Sequence, residues 1–176
     1  MNIRPALQLL TALAMLLSLT SCPDDSEDYG DISKITLWDL DNTGDTPEPI
    51  SGSCPAEAFM LHLIIETAND SYATTTFLHS PITAVEIFAT DTRGNTADVT
   101  SLFAIYPMTD FGTPSPALPL GGNGTPITQL GCGNWKLAMR SPLPADTYTF
   151  IADVTLANGS TLSSQPTAPI TLTTKP

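Results

Sequence analysis

Thr147-Tyr148-Thr149-Phe150-Ile151-Ala152-Asp153-Val154-Thr155-Leu156 is the stretch that decides the fold. Tyr148, Phe150, Ala152, Val154 and Leu156 share one side of an extended chain, and Thr147, Thr149, Asp153 and Thr155 share the other. A period of two is that of a strand with one covered face. Asn158-Gly159 comes next, a pair suited to a tight hairpin because both residues tolerate left-handed backbone. Thr161 to Ser164 then returns, and Ile170 to Thr173 supplies a last strand. The same alternation recurs upstream. Trp135, Leu137 and Met139 oppose Lys136 and Arg140. Val85, Ile87 and Ala89 oppose Glu86 and Phe88, and that strand ends at the turn Thr92-Arg93-Gly94-Asn95. Within Lys34 to Leu40, Ile35 and Leu37 oppose Thr36 and Trp38.

The remaining segments are less regular. Ala56 to Thr67 is the most apolar of them, with Phe59, Leu61, Leu63 and Ile65 on one face and Met60, His62, Ile64 and Glu66 on the other. A strand covered on one side and partly on the other fits; a helix competes, because length and apolar density suit both. Tyr72 to Leu78 reads as a threonine-rich strand. Asp98 to Tyr106 carries Val99, Leu102, Phe103 and Ile105 without a clean period. Pro107 to Gly133 is mostly Pro, Gly, Thr and Ser, long enough to be a surface excursion or a functional loop. With 16 prolines and 11 glycines in the chain, the expectation is an all-β sandwich of about seven short strands, one domain over residues 33–176.

The amino-terminal part reads differently. One basic residue, Arg4, precedes an apolar run from Ala6 that contains Leu9, Leu10, Leu13, Met15, Leu16, Leu17 and Leu19. Residues 1–21 have the layout of a signal peptide, a helix that is removed and is not part of the fold. A transmembrane anchor is the competing reading, but a span needs about 20 apolar residues and the charges that follow are acidic. Leu19-Thr20-Ser21-Cys22 looks like the lipobox of bacterial lipoproteins, in which the cysteine is lipidated and heads the mature chain. The resemblance implies acyl chains on Cys22; each buried CH₂ contributes about 0.8 kcal/mol, so two or three chains hold a protein on a membrane. Residues 22–32 form a short acidic tether with Asp24, Asp25, Glu27 and Asp28, too polar and too uniformly charged for local structure. Acidic residues just after a lipidated cysteine resemble the signal that sends Bacteroidetes lipoproteins to the cell surface. A solvated spacer is the plainer alternative.

Three cysteines, an odd number, fit that picture. With Cys22 lipidated, Cys54 and Cys132 are left to form a disulfide in an oxidising compartment. The bridge would close a loop of about 79 residues and contribute about 4.5 kcal/mol on the chain-entropy model. Two free buried thiols are the alternative. The net charge of −12, falling to −13 with the loss of Arg4, argues against nucleic acid as a partner, which needs clustered Lys and Arg.

Leu143-Pro144-Ala145-Asp146-Thr147-Tyr148-Thr149-Phe150 resembles the start of the penultimate strand in immunoglobulin-like and fibronectin-like modules. In those folds a corner tyrosine hydrogen-bonds back to the backbone, and Tyr148 stands at that position. The Cys–Trp–Cys core pattern of antibody domains is absent. Lipobox, acidic tether and terminal hairpin together resemble a small Bacteroidales surface lipoprotein with an immunoglobulin-like domain. Asp41-Asn42-x-Gly44 and Asp98-Val99-Thr100 add a weaker likeness. The resemblance implies an outer-membrane, surface-exposed location and a fold, and no activity.

Catalytic chemistry finds little support. His62 lies on a strand and His79 precedes Ser80-Pro81, yet no nucleophile-elbow glycine pattern accompanies a serine. Asp39, Asp41 and Gly44 fall at calcium-loop offsets, but Ile50 stands where a bidentate glutamate is needed, so an acidic turn over 39–45 is the better reading. Two isolated histidines do not make a metal site, and no cofactor or enzymatic activity is expected. Two function classes remain. One is a non-catalytic binding module for a glycan or protein, with Trp38 and Trp135 as contact platforms; core packing is the alternative for each and is favoured for Trp135. The other is a structural subunit of an outer-membrane or fimbrial assembly, joined through an exposed sheet edge. A hydrolase, the third class, would require a His–Asp–Ser cluster in a pocket.

Overall fold

The computed structural model describes residues 29–50, 52–67, 77–106, 118–119 and 133–174. Cys22, Cys132, the signal peptide, most of the acidic tether and nearly all of 107–132 lie outside them. In chain order the strands are β1 (Tyr29–Gly30), β2 (Ile32–Asp41), β3 (Glu48–Pro49), β4 (Ser53–Pro55), β5 (Phe59–Thr67), β6 (Phe77–Leu78), β7 (Ile82–Thr90) and β8 (Thr96–Asp98). They continue as β9 (Phe103–Tyr106), β10 (Leu118–Pro119), β11 (Gly133–Met139), β12 (Asp146–Leu156), β13 (Thr161–Ser163) and β14 (Ile170–Thr173). Single 3-10 turns at Ala56–Ala58 and Thr100–Leu102 complete the order.

The molecule is an all-β sandwich. One sheet runs β10-β9-β11-β5-β2-β3; the other runs β4-β14-β12-β7-β8, with β13 also on β12. Strand segments are more numerous than the seven or so expected, because short pieces of two to four residues extend the sheet rims. Asp98 to Tyr106 lacks a period because it divides into β8, a 3-10 turn and β9. Tyr29–Gly30 pairs in parallel with Phe77–Leu78, and Ile32 already pairs with Thr67. Tyr29 to Ile32, assigned to the tether, therefore already contain strand.

Each long strand presents its alternate apolar residues to the space between the sheets. Phe150, Ala152 and Val154 of β12 are fully buried, as are Leu61 and Leu63 of β5, Val85 and Ile87 of β7, and Leu137 of β11. Three phenylalanines tie the layers together. Phe59 stacks on Phe150 with ring centroids 4.9 Å apart, and Phe103 meets both edge-on at 6.3 Å. The helix reading of Ala56 to Thr67 fails because every residue of β5 finds a ladder partner in β2, and Met60 to Ile65 find a second one in β11. Its second face is covered in part: Met60 and Ile64 are buried, while His62 and Glu66 are half exposed.

Turn chemistry follows the residues. Gly94 and Gly159 adopt φ of 81° and 85°, the left-handed region where a side chain is strained. The Asp91 carboxylate accepts the backbone N–H groups of Arg93 and Asn95, both at 2.9 Å, closing the β7–β8 turn. At the foot of β12 the Tyr148 hydroxyl donates to the Pro144 carbonyl at 3.1 Å, the corner contact expected of it.

Candidate functional site

Among the described residues, one open edge of the sandwich lies along β2. β3 covers its outer edge only at Leu40 and Asp41, and the Ile50 N–H donates to the Asp39 carbonyl at 3.2 Å. From Ile32 to Trp38 no described strand pairs with that edge. Across a gap stands the segment Leu162 to Ala168 of the other sheet. The two walls enclose an open groove of about 530 Å³, lined by Ile35, Leu37, Trp38, Leu162, Pro166 and Thr167 among others. Trp38 is 52% exposed, the one large hydrophobic so exposed among the described residues.

The far wall explains why the groove is one-sided. Pro166 and Pro169 have no N–H, so an ordinary ladder to β12 cannot form there. Side-chain hydroxyls take over. Ser164 N–H donates to Ala152 C=O at 2.8 Å while Ala152 N–H donates to Ser164 Oγ at 3.0 Å. Thr167 and Phe150 repeat the exchange at 2.9 and 3.1 Å. Both hydroxyl residues are buried and bond to β12, so the chain hugs that strand.

Around Trp38 the outer face of the first sheet carries a row in register: Trp38 beside His62, and His62 beside Lys136. The Trp38 and His62 rings meet edge-on at 6.5 Å. Burial holds the His62 imidazole below its usual pKa, opposed by a hydrogen bond to Asn134 and reinforced by the Lys136 charge. Lys34 pairs with Glu66 at 3.4 Å on the same face. Trp135 sits elsewhere. It pairs in register with Leu63, on the inward-facing side of β11, and is half-buried against the core. The structure thus separates the two tryptophans, one at a groove mouth and one in the packing.

The other candidates scatter. Cys54 is a free, buried thiol whose Sγ–H donates to Pro55 C=O at 3.2 Å; burial and the nearby Asp41 and Asp39 carboxylates push it up to about 12. Cys132, its expected bridge partner, and Cys22, the expected lipid site, lie outside the described residues. Asp41 accepts the Thr43 N–H at 2.8 Å, which makes 39–45 an Asx-type turn, and the described residues contain no group of three or more metal-ligating side chains. His79 Nδ1 lies 3.3 Å from Asp31 on the surface, and the neighbouring Ser80 hydroxyl accepts the Asn158 N–H.

Asp39 is the residue the composition conceals. Strand alternation puts it on the inter-sheet face after Ile35 and Leu37, and its Oδ1 is buried with no hydrogen-bond partner. Burial raises its pKa to about 6, offset in part by the Thr167 hydroxyl. The period of β2 carries that information; the acidic run that follows masks it.

Compared with protein-family models, with curated proteins and with solved structures, the chain matches none.

Proposed function

We propose that this chain is a lipid-anchored cell-envelope protein, held on the outer membrane and exposed at the surface, that acts as a non-catalytic interaction module through the β2 edge. The exposed Trp38 indole at the mouth of a groove of mixed polar and apolar lining carries the reading. A large aromatic in water at the rim of a concavity is the usual anchor of a binding surface. The lipobox-like Leu19-Thr20-Ser21-Cys22 and the acidic residues behind it support the anchorage. The β2 edge, which no described strand covers before Leu40, also favours the structural alternative, a subunit joined to an assembly by strand addition.

Metabolic labelling with a fatty acid, compared between the wild type and Cys22→Ala, tests the anchor. Label on the wild type alone is expected, and protease shaving of intact cells should remove the domain. An unlabelled wild type would end the lipoprotein assignment. A glycan array read with and without Trp38→Ala separates the partner classes: a Trp38-dependent signal makes the partner a sugar, and a blank array leaves a protein strand.

A further inference from the structure

The part of β2 whose outer edge meets no described strand is regular over a short and well-defined length. Its register against β5 shifts between Ile32 and Lys34, and from Asp39 onward Ile50 and β3 take the outer edge. Lys34-Ile35-Thr36-Leu37-Trp38 is the ladder left over, and Thr36 is its midpoint. Since the Asp39 carbonyl faces this edge, strand alternation directs the N–H and C=O groups of Leu37 and Ile35 to it as well. We propose that this edge pairs with the same edge of a second copy of the chain, antiparallel, about a two-fold axis through Thr36. The inference rests on the reading of the β2 edge as the docking surface and names its partner.

The residues complement themselves about that axis. Ile35 meets the partner's Leu37 and exchanges two backbone hydrogen bonds with it, and Leu37 does the same with the partner's Ile35. Thr36 faces the partner's Thr36, and Lys34 faces the partner's Trp38, both at the closer, non-hydrogen-bonded spacing. Each Lys34, ion-paired with Glu66 of its own chain, then lies beside an indole, and the exposed Trp38 is covered.

Charge points the same way. In a chain of net charge −12, residues 32–38 contain a single ionisable side chain, Lys34, and Glu66 of the same chain balances it at 3.4 Å, so the edge carries no net charge to repel its own copy. An acidic residue here would oppose its own copy. Neighbouring registers fit less well. Centring on Ile35 sets Trp38 against the irregular Ile32, and centring on Leu37 requires the Asp39 carbonyl that Ile50 already occupies. The opposite wall is a poorer ladder, because the N–H groups of Ser164 and Thr167 already donate to β12 and Pro166 has none. A five-residue seam is small beside the roughly 1,200 Å² of a stable soluble interface, so the pairing belongs to a crowded membrane plane, where anchorage raises the effective concentration.

Cysteine cross-linking of the full chain in its native envelope tests the axis and the register together. Antiparallel residues at the close spacing have Cα atoms about 4.5 Å apart, within disulfide range. Thr36→Cys should give several-fold more disulfide-linked dimer than the wild type under mild oxidation, with the link mapped to position 36. Trp38→Cys should not link to itself but should link to co-expressed Lys34→Cys. Unfolding temperatures close to that of the wild type establish that the variants are folded. Wild-type levels of dimer from folded Thr36→Cys, or self-linking of Trp38→Cys as efficient as that of Thr36→Cys, would overturn the proposal. So would a link from position 36 to a different protein, although that would keep β2 as a docking edge. Fatty-acid labelling of the same samples separates the two readings, since label without the cross-link removes the dimer alone and the cross-link without label removes the anchor alone.

Discussion

Asp39 concentrates the residue-scale chemistry. A carboxyl with pKa about 6 in the folded chain and near 3.9 when unfolded binds its proton more tightly in the fold. Its contribution is therefore present below about pH 4 and is lost as pH rises toward and through 6. At 1.36 kcal/mol per unit the full effect would be near 3 kcal/mol, and partial exposure reduces it to about 1–2 kcal/mol. Asp91 and Asp98 act in the opposite sense, because hydrogen bonds from Asn95 and from Thr100 respectively hold them below the usual carboxylate range. The clean readout is the difference between wild type and Asp39→Asn in urea unfolding. The variant should gain on the wild type between pH 4 and 7; parallel profiles would show that Asp39 is solvated. The inward face of β2 was legible through Ile35 and Leu37. The same alternation runs on to Asp39 within the strand read over Lys34 to Leu40, but the acidic stretch Asp39 to Asp45 reads as a turn and hides a buried carboxyl there.

Among the elements, the connection from β13 to β14 departs most from simple strand rules. Asn158-Gly159 announces the hairpin, and Gly159 sits in the left-handed region as that turn requires. Beyond it, Ser164-Gln165-Pro166-Thr167-Ala168-Pro169 has the composition of a loop, yet Ser164 and Thr167 are buried and complete the ladder on β12. Propensity has no means of distinguishing a threonine that hydrogen-bonds a neighbouring strand from one facing water. Thr167→Val keeps the shape and strands the Phe150 N–H, a loss of about 1–3 kcal/mol. Ser164→Ala should cost a similar amount through Ala152, whereas exposed Ser163→Ala should stay within about 0.5 kcal/mol. Equal effects from all three in chemical denaturation would contradict the hydroxyl ladder. Asp98 to Tyr106 was illegible for a different reason: three short conformations in nine residues leave no window for a period.

For the whole molecule, the packing of Phe59, Phe103 and Phe150 across the sheets is the joint between two layers. Phe150→Ala should cost about 3–5 kcal/mol, a large part of the 5–15 kcal/mol that domains of this size have. A denaturation midpoint shift corresponding to under about 1 kcal/mol would mean that the layers are held elsewhere. Sandwich class and the apolar faces of β2, β5, β7, β11 and β12 could be read from alternation. Strand order could not, because pairing across the chain depends on shape and not on local pattern; nothing near Ser53 foretells its parallel register with Thr171. The groove was equally hidden, since it exists only where β3 stops short of Trp38.

That parallel register has a kinetic corollary. β14 lies between β4 and β12 within its sheet, so a polypeptide emerging from its amino end cannot seat Cys54 and Phe150 in their final surroundings until Ile170–Thr173 has followed. Pairing over such sequence distances is slow to nucleate. A nascent chain stalled short of Ile170 would remain pliable enough to thread a narrow conduit, and vulnerable to any protease it met there.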